Sequence, residues 1–197
     1  MSKNLANASF NAPAAAFRAR LADPVLVKML DHWLKLAAAA PGSTPSRAAF
    51  DPAAIPTLLR HLQLHQREAS GRFHCRLSGT AVVQELGRDA TGTYLDQAIR
   101  PEAVAGRTAL FNRALETGMP VAYSGVLEIP GRGLKAYQRL LLPLNGADGK
   151  PAFVLSVMAF KTLGPMDAER LNDAQQIVEM RRETGASPMI AGAARAA

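Results

Sequence analysis

Three apolar runs with barely a turn between them constrain this chain most. Residues 120–129, 134–144 and 152–160 are rich in Val, Leu, Ile, Tyr and Phe, and only Pro130-Gly131-Arg132-Gly133 and residues 145–150 separate them. Links this short leave no room for a crossover helix, so the runs pair antiparallel as a meander. Upstream, HLQLHQR alternates Leu62 and Leu64 with His61, Gln63 and His65, and RFHCRL sets Phe73, Cys75 and Leu77 on one side. The loop Glu68-Ala69-Ser70-Gly71 joins the two as a hairpin. A register with Arg67 facing Arg72 places His65 opposite His74 and Gln63 opposite Arg76.

Helical signals surround these strands. Asp23-Pro24 reads as an N-cap followed by Pro at the first helical position. Leu26, Leu30, Trp33 and Ala37 then form an apolar stripe, widened by Met29 and Leu36, and Pro41-Gly42 stops it. Asp51-Pro52 starts a short turn through Ile55, Leu58 and Leu59. Beyond Gly79, short helices run through Leu86 and from Tyr94 to Ile99. Pro101 opens a longer helix with Val104, Leu110, Phe111 and Leu115 on its apolar side and Gly118 at its end. After the meander, Gly164-Pro165 opens a last helix carrying Leu171, Ala174 and Val178. The fold class is α+β: a flexible N-terminus over 1–22, an N-terminal helix over 23–40, a core over 41–162, a C-terminal helix over 163–184 and a disordered tail over 185–197.

A chain of 197 residues suits one domain with appended helices. No apolar run approaches the ~20 residues a membrane helix needs. Arg18, Arg20 and Asp23 interrupt the Ala-rich start, which excludes a secretory signal. The single Cys75 excludes an internal disulfide framework and suits a reducing compartment, so a soluble, cytoplasmic protein is expected. A net charge of +7 raises nucleic acid as a partner. The basic residues are spread along the chain without interleaved aromatics, however, and a solvated basic surface is the expectation instead.

Most catalytic patterns fail on particular residues. Gly146-Ala147-Asp148-Gly149-Lys150 imitates a phosphate loop, but Pro151 stands where Ser or Thr would hold Mg²⁺. There is no Gly-x-Ser-x-Gly elbow, and Cys75 inside a strand reads as a small hydrophobe. Glu85 and Asp89 sit at helical spacing on a solvated face. His61, His65 and His74 could share a sheet face, but Cys75 points to the other side and no carboxylate joins them, so no metal centre is expected. The expectation is no catalysis; the alternative from a different class is a small-cavity α+β enzyme of isomerase or hydrolase type.

The order Trp33, Pro45-Ser46-Arg47, Asp51-Pro52, Phe73, Arg76-Leu77, Gly79-Thr80, Gly87-Arg88, Thr91-Gly92 resembles a family of small stand-alone PAS-like proteins common in alphaproteobacteria. Two residues depart from its pattern: Ser78 where an apolar residue is more usual, and Arg60 where proline is frequent. The resemblance implies a five-stranded antiparallel sheet with helices inserted between its second and third strands, and a sensory or regulatory role. Haem-binding PAS domains use a His on the long helix, and residues 101–118 have none; flavin photosensors use a Cys within the insert, which Cys75 precedes. No cofactor is therefore expected. Tyr94 from the insert and Tyr123, Tyr137, Arg139 and Met158 from the strands are the pocket candidates. Arg139 lies mid-strand among apolar neighbours, and a buried guanidinium needs an anion, so an acidic small-molecule ligand is expected. With no kinase, cyclase or DNA-binding segment attached, a signal would leave through a protein partner. The segment 24–40, with Val25, Met29 and Leu36 flanking its stripe, has an apolar face broad enough for a homodimer contact.

Overall fold

Arg139-Leu140-Leu141-Leu142-Pro143-Leu144 has apolar residues at consecutive positions, the pattern of a strand covered on both faces. In the computed structural model, which describes residues 9–40, 42, 44–129, 131, 133–163 and 177–180, this run is the middle of a sheet with a helical layer on each side. The strands are β1 (Ser9–Ala12), β2 (Leu62–Arg67), β3 (Phe73–Ser78), β4 (Val121–Ile129), β5 (Gly133–Asn145), β6 (Pro151–Thr162) and β7 (Ile177–Met180), and the sheet order is β1-β7-β4-β5-β6-β2-β3. The helices are α1 (Ala14–Arg18), α2 (Pro24–Ala39), α3 (Thr80–Leu86), α4 (Leu95–Ala98) and α5 (Pro101–Thr117). None among the described residues is long and apolar enough to cross a membrane.

Side-chain parity divides the sheet. Leu62, Leu140, Leu142, Leu144, Leu155 and Val157 face outward against α2, which presents Leu26, Met29, Leu30, Trp33 and Ala37. The α2 helix starts where Asp23 accepts a hydrogen bond from the Val25 amide at 2.8 Å. The Trp33 indole donates to the Pro143 carbonyl at 2.9 Å, tying the helix to β5. The inner face carries Val121, Tyr123, Tyr137, Leu141, Val154 and Met158, and it meets α3 to α5 through Val82, Leu95, Phe111 and Leu115. The α5 helix ends at Gly118, whose φ of +63° is the left-handed cap glycine adopts most readily.

Five strands, β2 to β6, form the antiparallel sheet expected, with α3 to α5 inserted between its second and third members. The other two strands correct the expectations for both ends. Residues 9–12 of the supposedly flexible N-terminus pair parallel with β7, and α1 buries Phe17 completely. Residues 177–180, expected within a C-terminal helix, are extended: β7 pairs antiparallel with Val121–Tyr123 of β4. Otherwise β4 would present unpaired amides and carbonyls at the sheet's edge, and a distant segment rich in Ile, Val and Met meets that demand. The rest of the helix expected over 163–184, from 164 to 176 and from 181 on, lies outside the described residues, as does the tail over 185–197.

The hairpin register also differs. Arg67 pairs with Phe73, Gln66 with His74 and His65 with Cys75, after which a bulge leaves Arg76 unpaired, so that Leu64 meets Leu77 and Gln63 meets Ser78. Residues 68–72 separate the paired strands, and the Glu68 amide closes this connection by donating to the Arg72 carbonyl at 2.9 Å. His65 and His74 are therefore not cross-strand partners. Among the described residues no three His, Cys, Asp or Glu groups could hold a metal ion.

Much of the apolar surface of α2 is used within the chain. Met29 is fully buried within its own chain, and Val25, Val27, Leu34 and Leu36 also pack against the outer core. The exposed strip of α2 holds Pro24, Lys28, Lys35, Ala38 and Ala39.

Candidate functional site

On β5, inward-facing positions place Tyr137 and Arg139 beside each other's cross-strand neighbours. Arg139 pairs with Met158 of β6 and Tyr123 of β4, while Gln63 of β2 pairs with Ser156. Arg139 is only 6% exposed, so its guanidinium must find partners within the core. It donates to the Ser156 hydroxyl, to the Gln63 side-chain carbonyl and, at 3.4 Å, to the Tyr123 hydroxyl. Phe111 of α5 stands 5.5 Å from it, ring centroid to guanidinium.

A second guanidinium reaches the same region from α5. Arg107 donates to the Tyr137 hydroxyl at 2.9 Å and lies 4.4 Å from the Tyr123 ring centroid, while its Nε is shielded and has no partner among the described residues. Burial works against the charge on Arg107, but the adjoining Tyr123 and Tyr137 oxygens outweigh it and hold the pKa above the ordinary arginine value. Burial raises the Tyr137 phenol, opposed by the Arg107 charge. Gly125 makes room for this pairing, since a Cβ there would come within 3.0 Å of the Tyr137 hydroxyl. Two cations thus share the inner core, and neither meets a carboxylate among the described residues.

His65 completes the cluster. It is 2% exposed, its ring packs edge-on against Phe111 at 5.0 Å, and its Nδ1 has no partner among the described residues. Burial, then the charge of Arg139, holds the imidazole well below its usual pKa, so it is neutral in the folded protein. Below about pH 6.5 the unfolded chain takes up a proton that the folded chain refuses, and stability falls with pH by at most about 1.4 kcal/mol per unit from this group. His32 and His61 are also pushed down by burial and add to the trend. Urea denaturation of His65→Leu at pH 5 and pH 7 should show a smaller loss on acidification than wild type. An unchanged loss would remove His65 as a cause.

Four of the five candidates from the sequence, Tyr123, Tyr137, Arg139 and Met158, stand together here. Tyr94 does not. The segment before it folds back along the edge of β3, where the Thr93 carbonyl accepts from Cys75 and Tyr94 bridges His74. Its hydroxyl donates to Glu68 at 2.8 Å and the Arg72 guanidinium covers its ring at 3.7 Å, which makes it a surface clamp between the hairpin loop and α4. Arg107, Gln63, His65 and Ser156 were missed. Arg107 does carry a signal: it precedes Phe111 and Leu115 at steps of four on the apolar side of α5. Gln63 and His65 carry no such signal, because an alternating pattern does not say that the face with the polar set is the one buried against α5. Cys75 is buried with its thiol pushed up by that burial, opposite to what a nucleophile needs.

Solved structures similar to the chain include VqmA of Vibrio cholerae, 15% identical with a TM-score of 0.43, the match covering 57% of this chain and 52% of that one. This chain therefore spans about half of VqmA. A PAS domain from Colwellia psychrerythraea is 11% identical with a TM-score of 0.42, covering 57% of this chain and 98% of that one. The PAS domain of an HTR-like protein from Haloarcula marismortui is 15% identical with a TM-score of 0.38, covering 55% and 90% respectively. No curated protein matches the sequence. The family model PAS_5, described as a PAS domain, matches residues 22–159, most of the chain, with β2 to β5, most of β6 and the helical insert, and the protein belongs to that family.

Proposed function

We propose that this protein is a sensory and regulatory PAS domain that binds a small acidic molecule against the inner face of its sheet and signals through a protein partner, without catalysis. The observation that supports this reading is the pair of guanidiniums, Arg139 and Arg107, whose described partners are all neutral. A charge taken out of water without a counter-charge is costly, and an anion entering between them would offset that cost. Tyr123 and Tyr137 fill the space beside both cations, so admitting a ligand requires these rings to move. That movement would couple occupancy to the sheet and to α5, and a partner favouring one arrangement would sense it.

The test is thermal stability of the full chain against a panel of small carboxylic acids and their amides. A binding acid at a hundred times its Kd should stabilise wild type by about 2.7 kcal/mol and leave Arg139→Met unmoved, while neutral compounds treat the two alike. Equal stabilisation of wild type and variant would refute the anion site, and turnover of a bound compound would favour the small-cavity enzyme.

A protein partner is preferred to nucleic acid because several cations are already committed. Arg18 pairs with Asp31, Arg72 with Asp96, Arg113 with Glu179 and Lys135 with Glu85. Homodimerisation through α2 keeps only the half-buried Val25, Val27, Leu34 and Leu36 as apolar support. Light scattering decides it: a monomer at micromolar concentration would remove α2 self-association from the reading.

A further inference from the structure

The outer face of the sheet is not fully covered. The α2 helix packs on β5 and β6, and the turns at Arg47–Ala49, Pro52–Ala54 and Leu59–His61 roof the remainder over β2 and the end of β3. Between these turns and the strands lies a cavity of about 470 Å³, within the ~300–1,000 Å³ range of small-molecule sites. Leu62, Leu64, Leu77 and Leu155 supply its apolar wall from three adjacent strands. Leu77 is 47% exposed, an unusual position for a large apolar strand residue unless something else covers it. Gly79 holds the cavity's shape: its amide bonds the Leu62 carbonyl at 2.7 Å, and a Cβ there would strike the Leu59 and Arg60 carbonyl oxygens at 2.5 Å.

The charged residues in the wall are Arg47 and Arg60, and no carboxylate joins them. Arg47 donates to the Phe50 carbonyl at 3.4 Å and leans over that ring, and neither arginine forms an ion pair among the described residues. We infer that this cavity is a second binding site, separate from the inner guanidinium cluster, for a small amphiphile with an anionic head and a single apolar chain. The head lies against Arg60 with Arg47 nearby, and the chain covers Leu77 and its neighbours. The apolar wall favours a chain, and two unneutralised guanidiniums favour an acid over an alcohol. The site also touches the inner core. Ser78, in the cavity wall, accepts a hydrogen bond from Gln63 at 3.0 Å, and Gln63 in turn accepts one from Arg139.

Calorimetric titration of the full chain with dodecanoate, dodecanol and acetate tests this below micellar concentrations. Dodecanoate should bind one to one, dodecanol about tenfold more weakly and acetate not measurably, with the acid's advantage lost in Arg60→Gln. Leu77→Ser should weaken the acid and the alcohol alike. Both residues are exposed, and circular dichroism confirms that the variants fold. Loss of dodecanoate in Arg139→Met but not in Arg60→Gln would place the acid in the inner core, sinking this inference while leaving the proposed function standing. Equal binding to wild type, Arg60→Gln and Leu77→Ser would overturn it. So would no dodecanoate binding, whether an acidic amphipathic peptide binds instead or Leu77→Ser abolishes self-association.

Discussion

Phe111→Ala is expected to destabilise the protein by roughly 3–5 kcal/mol, the range for truncating a buried aromatic. Phe111 is fully buried on α5 and meets His65 edge-on at 5.0 Å and Phe73 at 5.1 Å, so one ring joins the long helix to β2 and β3. Its face also attends the Arg139 guanidinium. Removing the ring leaves a cavity beside a buried cation and a neutral histidine, two groups that cannot collapse to fill it cheaply. Since domains are stable by only about 5–15 kcal/mol in total, this is a large share of the whole. Urea denaturation followed by circular dichroism measures the change, with Leu134→Ala, at an exposed strand position, as the control. A loss below about 1 kcal/mol would mean that α5 is not anchored through this ring.

On the opposite face, Trp33→Ala should cost a similar 3–5 kcal/mol. Trp33 is 2% exposed, and its indole satisfies the carbonyl of Pro143. Pro143 lies where β5 has run past its pairing with β4, which ends at Leu141 opposite Val121, so a residue without an amide is tolerated there. Losing the indole leaves a void and strands a buried acceptor. Trp33→Phe separates the two effects: most of the volume remains, and about 1–3 kcal/mol should be lost for the unpaired carbonyl and the smaller ring. Because Trp33 is the single tryptophan, the measurement again rests on circular dichroism rather than fluorescence. The two sites lie in separate cores across the sheet, so the double variant's cost should equal the sum within about 0.5 kcal/mol. A chain beginning at Pro41 would lose Leu26, Met29, Leu30 and Trp33 together, and with them the cover over β5 and β6. It should fail to fold, rather than become the folded monomer that a helix used only for dimerisation would leave.

The candidate site was legible to the degree that strand parity governs it. Once β4, β5 and β6 are recognised as strands, parity puts Tyr137 and Arg139 on one face of β5, and the pairing register adds Tyr123 and Met158. Parity does not say whether the other face is wet. For β2 the sequence alternates leucines with Gln63 and His65, and nothing local marks the polar set as buried. Burial of the inner face turned those two residues into core groups beside Arg139. Tyr94 failed for the converse reason: its membership of the helical insert was readable, but the return of residues 92–94 to the edge of β3 was not.

What the sequence by itself determined was local: the Asp23-Pro24 start of α2, the Gly118 end of α5, the hairpin, the meander and the α+β class. Each rests on contacts within a few residues, where backbone preference and hydrophobic period act directly. Only the tertiary structure decided the parallel pairing of Ser9–Ala12 with Ile177–Met180, the bulge that parts His65 from His74, and the meeting of Arg107 with Tyr123 and Tyr137. These depend on which edge is left unpaired and on what fills a shared space after the layers close. Such demands are set by residues far apart in the chain, and no window of neighbouring sequence contains them.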